Sequence, residues 1–466
     1  MSRIRYVKGR IIKRTEGVHQ MYASENIVFN SGGEIAEFGE ENGTSFNEPE
    51  KPPTPQTQSK VSIEFRPHSK YNGEFGFDWL RQGDIGSPGD IWYKSIVGFY
   101  FADATFKVKR EQSDFFQPNL SEYNRLLSLY KPAVSIPWRK NDVVNFPEFF
   151  TLLKGKVAKF TLLLEIDEEP KEIIIKYNKN LFKLNNETIP VRAGKLTDYL
   201  TVECIKEFEF NQKIEVFAKT RVGKEFLAGR LIAIANDINK QRKVQVVFVN
   251  VTTNLTGAIT KIGKSLGNET LLKKFMSQCL TVPEIQTASM DVSGNYIQKL
   301  LKVVPFTRNF ITNDGARKVV SAFKTIADRK HDYGVSLESF LEGEFNKIHG
   351  GKYMNFYKVF YFDEPIGFWT KDGGTDKYVG LNGKAENVGA GARTVIISES
   401  GAKNAATTTH ELLHCMGLHH TFNNNADFTY KKFKTENIMD YSHQKGVNRI
   451  STWLHQWKKI NRSINS

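Results

Sequence analysis

Short apolar runs separated by turn-forming residues fill the chain from Val61 onward, and their character changes near residue 240. Val61–Phe65, Ile91–Phe106, Phe160–Ile166, Glu172–Tyr177, Leu200–Cys204, Lys213–Ala218 and Leu227–Ala235 are rich in β-branched and aromatic side chains at sandwich-like intervals, and each predicts strand. Beyond 240 the pattern becomes mixed. Residues 243–252, with Val244, Val246, Val247, Phe248 and Val249, read as a buried strand. Residues 269–280 carry Leu272, Phe275, Met276 and Cys279 at helix spacing, while 353–362 and Arg393–Ser398 predict further strands. Residues 313–332 place Val319, Val320, Phe323, Ile326 and Ala327 on one side of a helix, with Arg317, Lys318, Lys324, Arg329 and Lys330 on the remainder, a basic face that is either solvated surface or a site for an anionic partner. The glycine-rich stretch Gly373–Gly391 is a candidate edge strand able to receive an extended peptide.

One helix carries chemistry. Starting near Lys403 or Asn404 and passing through Thr407, Thr408 and Thr409, it reaches His410-Glu411-Leu412-Leu413-His414-Cys415-Met416-Gly417-Leu418-His419-His420. His410 and His414 lie four positions apart and project from one face, so both rings can reach one metal ion. Glu411 lies between them and can accept a proton from water without occupying a coordination position. Gly417 lets the chain turn through the left-handed region, which brings His420 round as the third ligand. His419 is adjacent and competes for that place, although the spacing from Gly417 favours His420. Three nitrogens leave a fourth tetrahedral position for solvent, the arrangement of a catalytic zinc site. With 10 His and 35 Gly among 466 residues, chance occurrence of H-E-x-x-H-x-x-G-x-x-H is on the order of 10⁻⁵.

Downstream, the chain reads Asn437-Ile438-Met439-Asp440-Tyr441-Ser442. Together the two segments resemble the metzincin clan of zinc peptidases, and the wording H-E-L-L-H-C-M-G-L-H-H-T-F followed by N-I-M-D-Y-S is most similar to its pappalysin-like branch. The resemblance spans about 350–460. It implies an α+β domain with a mixed twisted sheet and an active-site helix, a Zn²⁺ ion on His410, His414 and His420, and Glu411 as general base. It also implies Met439 in a turn beneath the imidazoles and Tyr441 as an oxyanion donor or additional ligand. A strand followed by a helix, as at 243–280, opens such a domain.

The expected layout is a multidomain chain: a small β-rich unit at 1–46, a Pro-rich linker at 47–59, a β-rich module at 60–150, a sandwich-like module at 151–236 and the peptidase-like domain at 237–466. The net charge of +14 is concentrated in residues 241–466. A basic balance raises acidic partners as a class without naming one. No nucleic-acid motif is present, and the metzincin resemblance implies a protein or peptide substrate as partner. Three cysteines, Cys204, Cys279 and Cys415, are too scattered for a disulfide framework.

No apolar run reaches membrane-span length, and Met1–Gly17 lacks the apolar core of a secretory signal. The expected course is therefore either that the protein stays inside its cell or that, from a cytoplasmic start, it leaves by signal-independent export and acts outside the producing cell. The stretch G-E-F-G-F-D-W-L-R-Q-G-D at 73–84 faintly resembles accessory modules carried by bacterial contractile injection systems of the type VI kind, which implies injection-machine components as further partners and a loading or docking role for 1–236. Two rival functions stand beside the endopeptidase: a zinc-stabilised binding or structural component that does not cut, and a zinc amide hydrolase acting on cell-wall peptides.

Overall fold

The structure is a computed structural model, and it describes residues 59–86, 88–101, 115–135, 144–254, 258–293, 319–323, 336–372, 375–389 and 391–464. Residues 59–466 form one compact unit. The expected unit at 1–46 and nearly all of the linker at 47–59 lie outside the described residues.

In chain order the first part of the unit comprises β1 (Lys60–Pro67), β2 (Gly76–Asp78), the single-turn α1 (Tyr93–Ile96), β3 (Val97–Tyr100), β4 (Phe116–Pro118), α2 (Leu120–Leu127), β5 (Val134–Ser135) and β6 (Val144–Asn145). It continues with β7 (Glu148–Thr151), β8 (Val157–Glu168), β9 (Glu172–Lys176), β10 (Phe182–Leu184), β11 (Thr188–Ile189), β12 (Gly194–Cys204), β13 (Gln212–Lys219) and β14 (Glu225–Ala233). Two sheets form from these strands, in the orders β1-β8-β12-β10 and β11-β9-β13-β14-β7-β2. Strands from 60–150 and from 151–236 are thus interleaved in one sandwich. Side chains alternate along β13, with Ile214, Val216 and Ala218 inward, as a strand with one buried face requires. Gly229 has no substitute where β14 crosses β1, because an added Cβ would lie 2.4 Å from the Ile63 carbonyl oxygen. At the centre Phe160 meets Phe65, Phe75, Phe77 and Phe150 at ring-centroid distances of 5.3–6.3 Å.

Two expectations in this part change. Ile91–Phe106 contains a helical turn at Tyr93–Ile96 before its strand begins at Val97, and 102–106 lie outside the described residues. Segment 91–130 also leaves the sandwich. β3 pairs with β4 and with Thr429–Tyr430, and Tyr93, Ile96, Val97, Tyr123, Leu126 and Tyr130 join the core of the C-terminal half.

That half is built from β15 (Arg242–Thr253), β16 (Lys261–Ile262), α3 (Asn268–Ser277), β17 (Thr281–Asp291), β18 (Val319–Phe323), α4 (Leu337–Ile348), β19 (Tyr357–Tyr361), β20 (Ile366–Asp372), β21 (Thr375–Leu381), β22 (Gly383–Ala385) and β23 (Thr394–Ile397). After these come α5 (Glu399–Ala402), α6 (Thr407–Cys415), β24 (Thr429–Tyr430) and α7 (Leu454–Ser463). β17, β15, β19 and β23 run parallel, and β22 closes the edge antiparallel to β23. Both faces are covered, and β15 shows how. Val244, Val246 and Phe248 enter one core with α3 and α6, while Val247, Val249 and Val251 enter another with α4. The expected strands and the helix at 269–280 are found here.

The helix read at 313–332 is not. Val319–Phe323 is a strand, parallel to β20 in a three-stranded sheet with β21, and the remainder of that stretch lies outside the described residues. Ladder pairing with β20 outweighs a helical spacing that rested on β-branched residues, whose own preference is for strands. Among the described residues the protein is β-rich with several sheets, and no helix is long and apolar enough to cross a membrane.

Phe160→Ala should lower the unfolding free energy by about 3–5 kcal/mol, because its ring is fully buried among four others. Urea titrations of the two proteins measure the difference; a loss below about 1 kcal/mol would show that the aromatic cluster does not hold the sandwich together.

Candidate metal centre

β23 delivers the chain to α5, and a tight turn starts α6 at Thr407, one turn later than the sequence suggests. Every residue of α6 is buried. Its threonines are used for packing and bonding: the Thr408 hydroxyl lies 3.0 Å from the Tyr361 hydroxyl on β19. Gly417 has φ +91°, a left-handed conformation that strains any residue with a Cβ, and its amide donates to the His414 carbonyl at 2.8 Å. The chain then reverses towards His420.

His410, His414 and His420 come together with one ring nitrogen of each inside a 4.8 Å cluster. His419 is not part of it. Two backbone carbonyls set the tautomers. His410 Nδ1 lies 2.7 Å from the Ile438 oxygen and His414 Nδ1 2.6 Å from the Leu418 oxygen. A carbonyl can only accept, so each Nδ1 carries the proton and each Nε2 presents a lone pair. His414 Nε2 and His420 Nε2 stand 3.0 Å apart. Two nitrogens on a tetrahedral zinc at 2.0–2.1 Å would be separated by about 3.3 Å, so the spacing fits a shared ion. Burial holds all three rings in the neutral, ligating form: His410 falls well below its usual range, His414 to about 4 and His420 to about 2. A metal ion that takes nitrogen ligands fits the donor set, which is three neutral imidazoles with second nitrogens engaged by carbonyls in the two best-buried cases.

The motif around Met439 explains itself residue by residue. The Asn437 side-chain oxygen accepts from the Met439 amide at 2.9 Å, which forms the turn. Asp440, fully buried, accepts from the amides of Phe433, Lys434, Thr435 and Tyr441 and from the Thr435 hydroxyl, and so ties down the whole loop 433–441. Met439 is fully buried, and its neighbours do the holding: the Ile438 carbonyl takes the His410 proton, and the Met439 carbonyl accepts from Thr421 N, next to His420. Tyr441 is half-buried with its ring centroid 4.7 Å from that of His420 and 5.8 Å from that of His410. Phe422 stacks on His420 at 4.8 Å.

Glu411 is buried against the edge strand. The Ala385 amide donates to its carboxylate, and burial pushes its pKa up to about 7 despite the Arg449 and Lys384 charges that oppose the shift. Gly383 is required there, since an added Cβ would lie 2.8 Å from Glu411 Cγ. The edge strand expected within Gly373–Gly391 is thus only Gly383–Ala385, whereas Thr375–Leu381 pairs with β20 in another sheet. Glu386 N and the Asn382 carbonyl bond to the β23 side, so the Ala385 amide faces the other way, towards the helix carboxylate.

Arg449 is one of the positive charges concentrated in residues 241–466, and it is not a surface group. It is buried, donates to Asn404 Oδ1 at 3.1 Å and to the Asp440 carbonyl at 3.4 Å, and spans the start of α6 and the Met439 turn. The signal available in sequence was slight: one arginine between Val447 and Ile450. The cysteines are buried and unpaired, and burial raises the Cys415 thiol far above its usual range, so it is an unreactive packing group.

No protein-family profile matches the chain, and no curated protein matches it in sequence.

The opposite shifts of these groups have a testable consequence. A carboxyl whose folded pKa is raised from 4.5 to about 7 favours folding below 4.5, and that contribution is lost as pH rises through 7. Depressed histidines act in the other direction: stability present above about 6.5 is lost as pH falls towards 4. Metal-free Glu411→Gln should therefore be more stable than the native chain at pH 8, with the difference vanishing near pH 4.5, where only the histidine loss remains. Denaturant titrations across that range would show it; equal stability at pH 8 would mean that Glu411 is not held in an unfavourable buried state.

Proposed function

We propose that the chain is a zinc-dependent endopeptidase whose centre is the His410, His414 and His420 cluster. The observation that carries this reading is the convergence of three neutral imidazoles, with no fourth protein ligand in the cluster among the described residues, beside a buried carboxylate that accepts a single backbone hydrogen bond. A purely structural zinc site is closed by four protein ligands. It also has no use for Glu411, which burial makes costly. The mixed sheet with its antiparallel edge strand beside α6 agrees with the metzincin resemblance of the motifs.

Zinc bound there supplies a Lewis acid that polarises a carbonyl and acidifies a water. The chain's own residues do the rest. Glu411, with a pKa of about 7 before any cation lowers it, takes a proton at its carboxylate oxygen and returns it to the departing amine. The carbonyls of Ile438 and Leu418 keep His410 and His414 oriented while charge develops. Tyr441, whose ring packs against His420, would donate a hydrogen bond from its hydroxyl to an oxyanion, a role worth about 2.7–4 kcal/mol for one good donor. The amide-hydrolase reading uses the same groups and differs only in substrate.

Glu411→Gln should keep the metal and lose peptide cleavage by about 10²–10⁴-fold, and His410→Ala should lose metal and cleavage together. Metal content and turnover of casein, a peptide library and purified peptidoglycan fragments are the measurements. Undiminished cleavage by the glutamine variant would overturn the assignment of the base; cleavage of peptidoglycan fragments alone would move the protein to the amide hydrolases.

A further inference from the structure

Residues 73–81, Gly-Glu-Phe-Gly-Phe-Asp-Trp-Leu-Arg, present two faces to two different cores. Phe75, Phe77 and Trp79 enter the sandwich, while Leu80 joins the core of the C-terminal half. Gly73 and Gly76 allow the approach, since added Cβ atoms would lie 2.3 Å from the Ile450 carbonyl oxygen and 2.6 Å from the Gln278 carbonyl oxygen. Asp78 and Arg81 are both completely buried. Arg81 donates to Asp78 Oδ1 at 2.8 Å and to the Trp79 carbonyl at 3.0 Å, and its guanidinium lies 3.9 Å from the Trp79 ring centroid. Asp78 Oδ2 accepts from the Tyr130 hydroxyl and from Leu454 N, each at 2.9 Å.

The second arm of Arg81 bonds to Glu436. Glu436 immediately precedes the Met439 turn, and its carbonyl accepts from Ile450 N at 2.9 Å and from Ser451 N at 3.2 Å. Ser451 Oγ adds a bond to Glu436 Oε1 at 3.1 Å, and the Ser451 carbonyl accepts from Ile438 N at 2.8 Å. Two residues beyond Glu436, the Ile438 carbonyl fixes His410.

We infer that Arg81, Asp78 and Glu436 are positioning residues for the metal centre, through which the β-sandwich sets the height of the Met439 turn and so the orientation of His410. The inference rests on the reading of the three imidazoles as metal ligands. It makes the sandwich part of the apparatus that shapes the site, whatever else that half binds. The buried pairs carry the coupling because loss of either partner leaves a charge uncompensated away from water, and the loop then moves to hydrate it.

The test uses the full chain and Co²⁺ as a spectroscopic probe, below the melting temperature of every variant. Native protein should bind Co²⁺ with the intense visible band of a tetrahedral nitrogen site. Glu436→Gln and Arg81→Lys should weaken binding about 10–100-fold and alter the band. Phe182→Leu, in the sandwich core away from these contacts, should lower the melting temperature and leave affinity and band unchanged. Native affinity and spectrum in both charge variants would overturn the inference, as would an equal loss in Phe182→Leu, which would reduce the effect to stability. Should Glu436→Gln fail to fold, Ser451→Ala, which removes only a hydroxyl bond to Glu436, must still weaken Co²⁺ binding several-fold, and native binding by it would overturn the inference. Absence of any visible band in the native chain would instead overturn the metal reading itself, and this inference with it.

Discussion

Two backbone carbonyls, those of Ile438 and Leu418, take the Nδ1 protons of His410 and His414 and thereby decide which nitrogen each ring offers to the centre. Much of the surrounding structure exists to hold those oxygens still. Leu418 is held by the left-handed turn at Gly417 and by its own amide bond to the Leu413 carbonyl. Ile438 is held by a loop whose amides converge on Asp440 and whose Asn437 side chain closes the turn. If either carbonyl moved, a tautomer would be free to change and a lone pair could be replaced by a proton.

The same economy applies to charge. Glu411, Arg449, His410 and His414 share a buried region, with His420 half-buried at its edge, in which an ion without a partner is expensive. Stability favours filling such a region with apolar groups. Gly383 is reduced to hydrogen so that Glu411 fits beside the edge strand, and under the proposed function that arrangement would serve chemistry at the expense of stability.

Much of this was legible in the sequence, for particular reasons. The spacing of His410, Glu411, His414, Gly417 and His420 encodes its geometry locally, because helix periodicity and one glycine turn suffice to bring the rings together. β15 was equally plain, since a strand covered on both faces reads as an unbroken apolar run. Contacts between distant segments were not legible. Arg81 and Glu436 are separated by 355 positions, and no period or motif connects them. Val319–Phe323 misled because a short apolar run satisfies helix and strand templates alike until a partner strand is known. The burial of Arg449 was not legible either, because its partners, Asn404 and the Asp440 carbonyl, come from other loops.

The account stands on an open coordination sphere of three imidazoles. X-ray absorption at the zinc edge of the metal-loaded chain tests it most directly. Three nitrogen scatterers at about 2.0–2.1 Å with one light-atom solvent ligand are predicted. A fourth protein ligand, a sulfur scatterer at about 2.3 Å, or no bound zinc at all would contradict it.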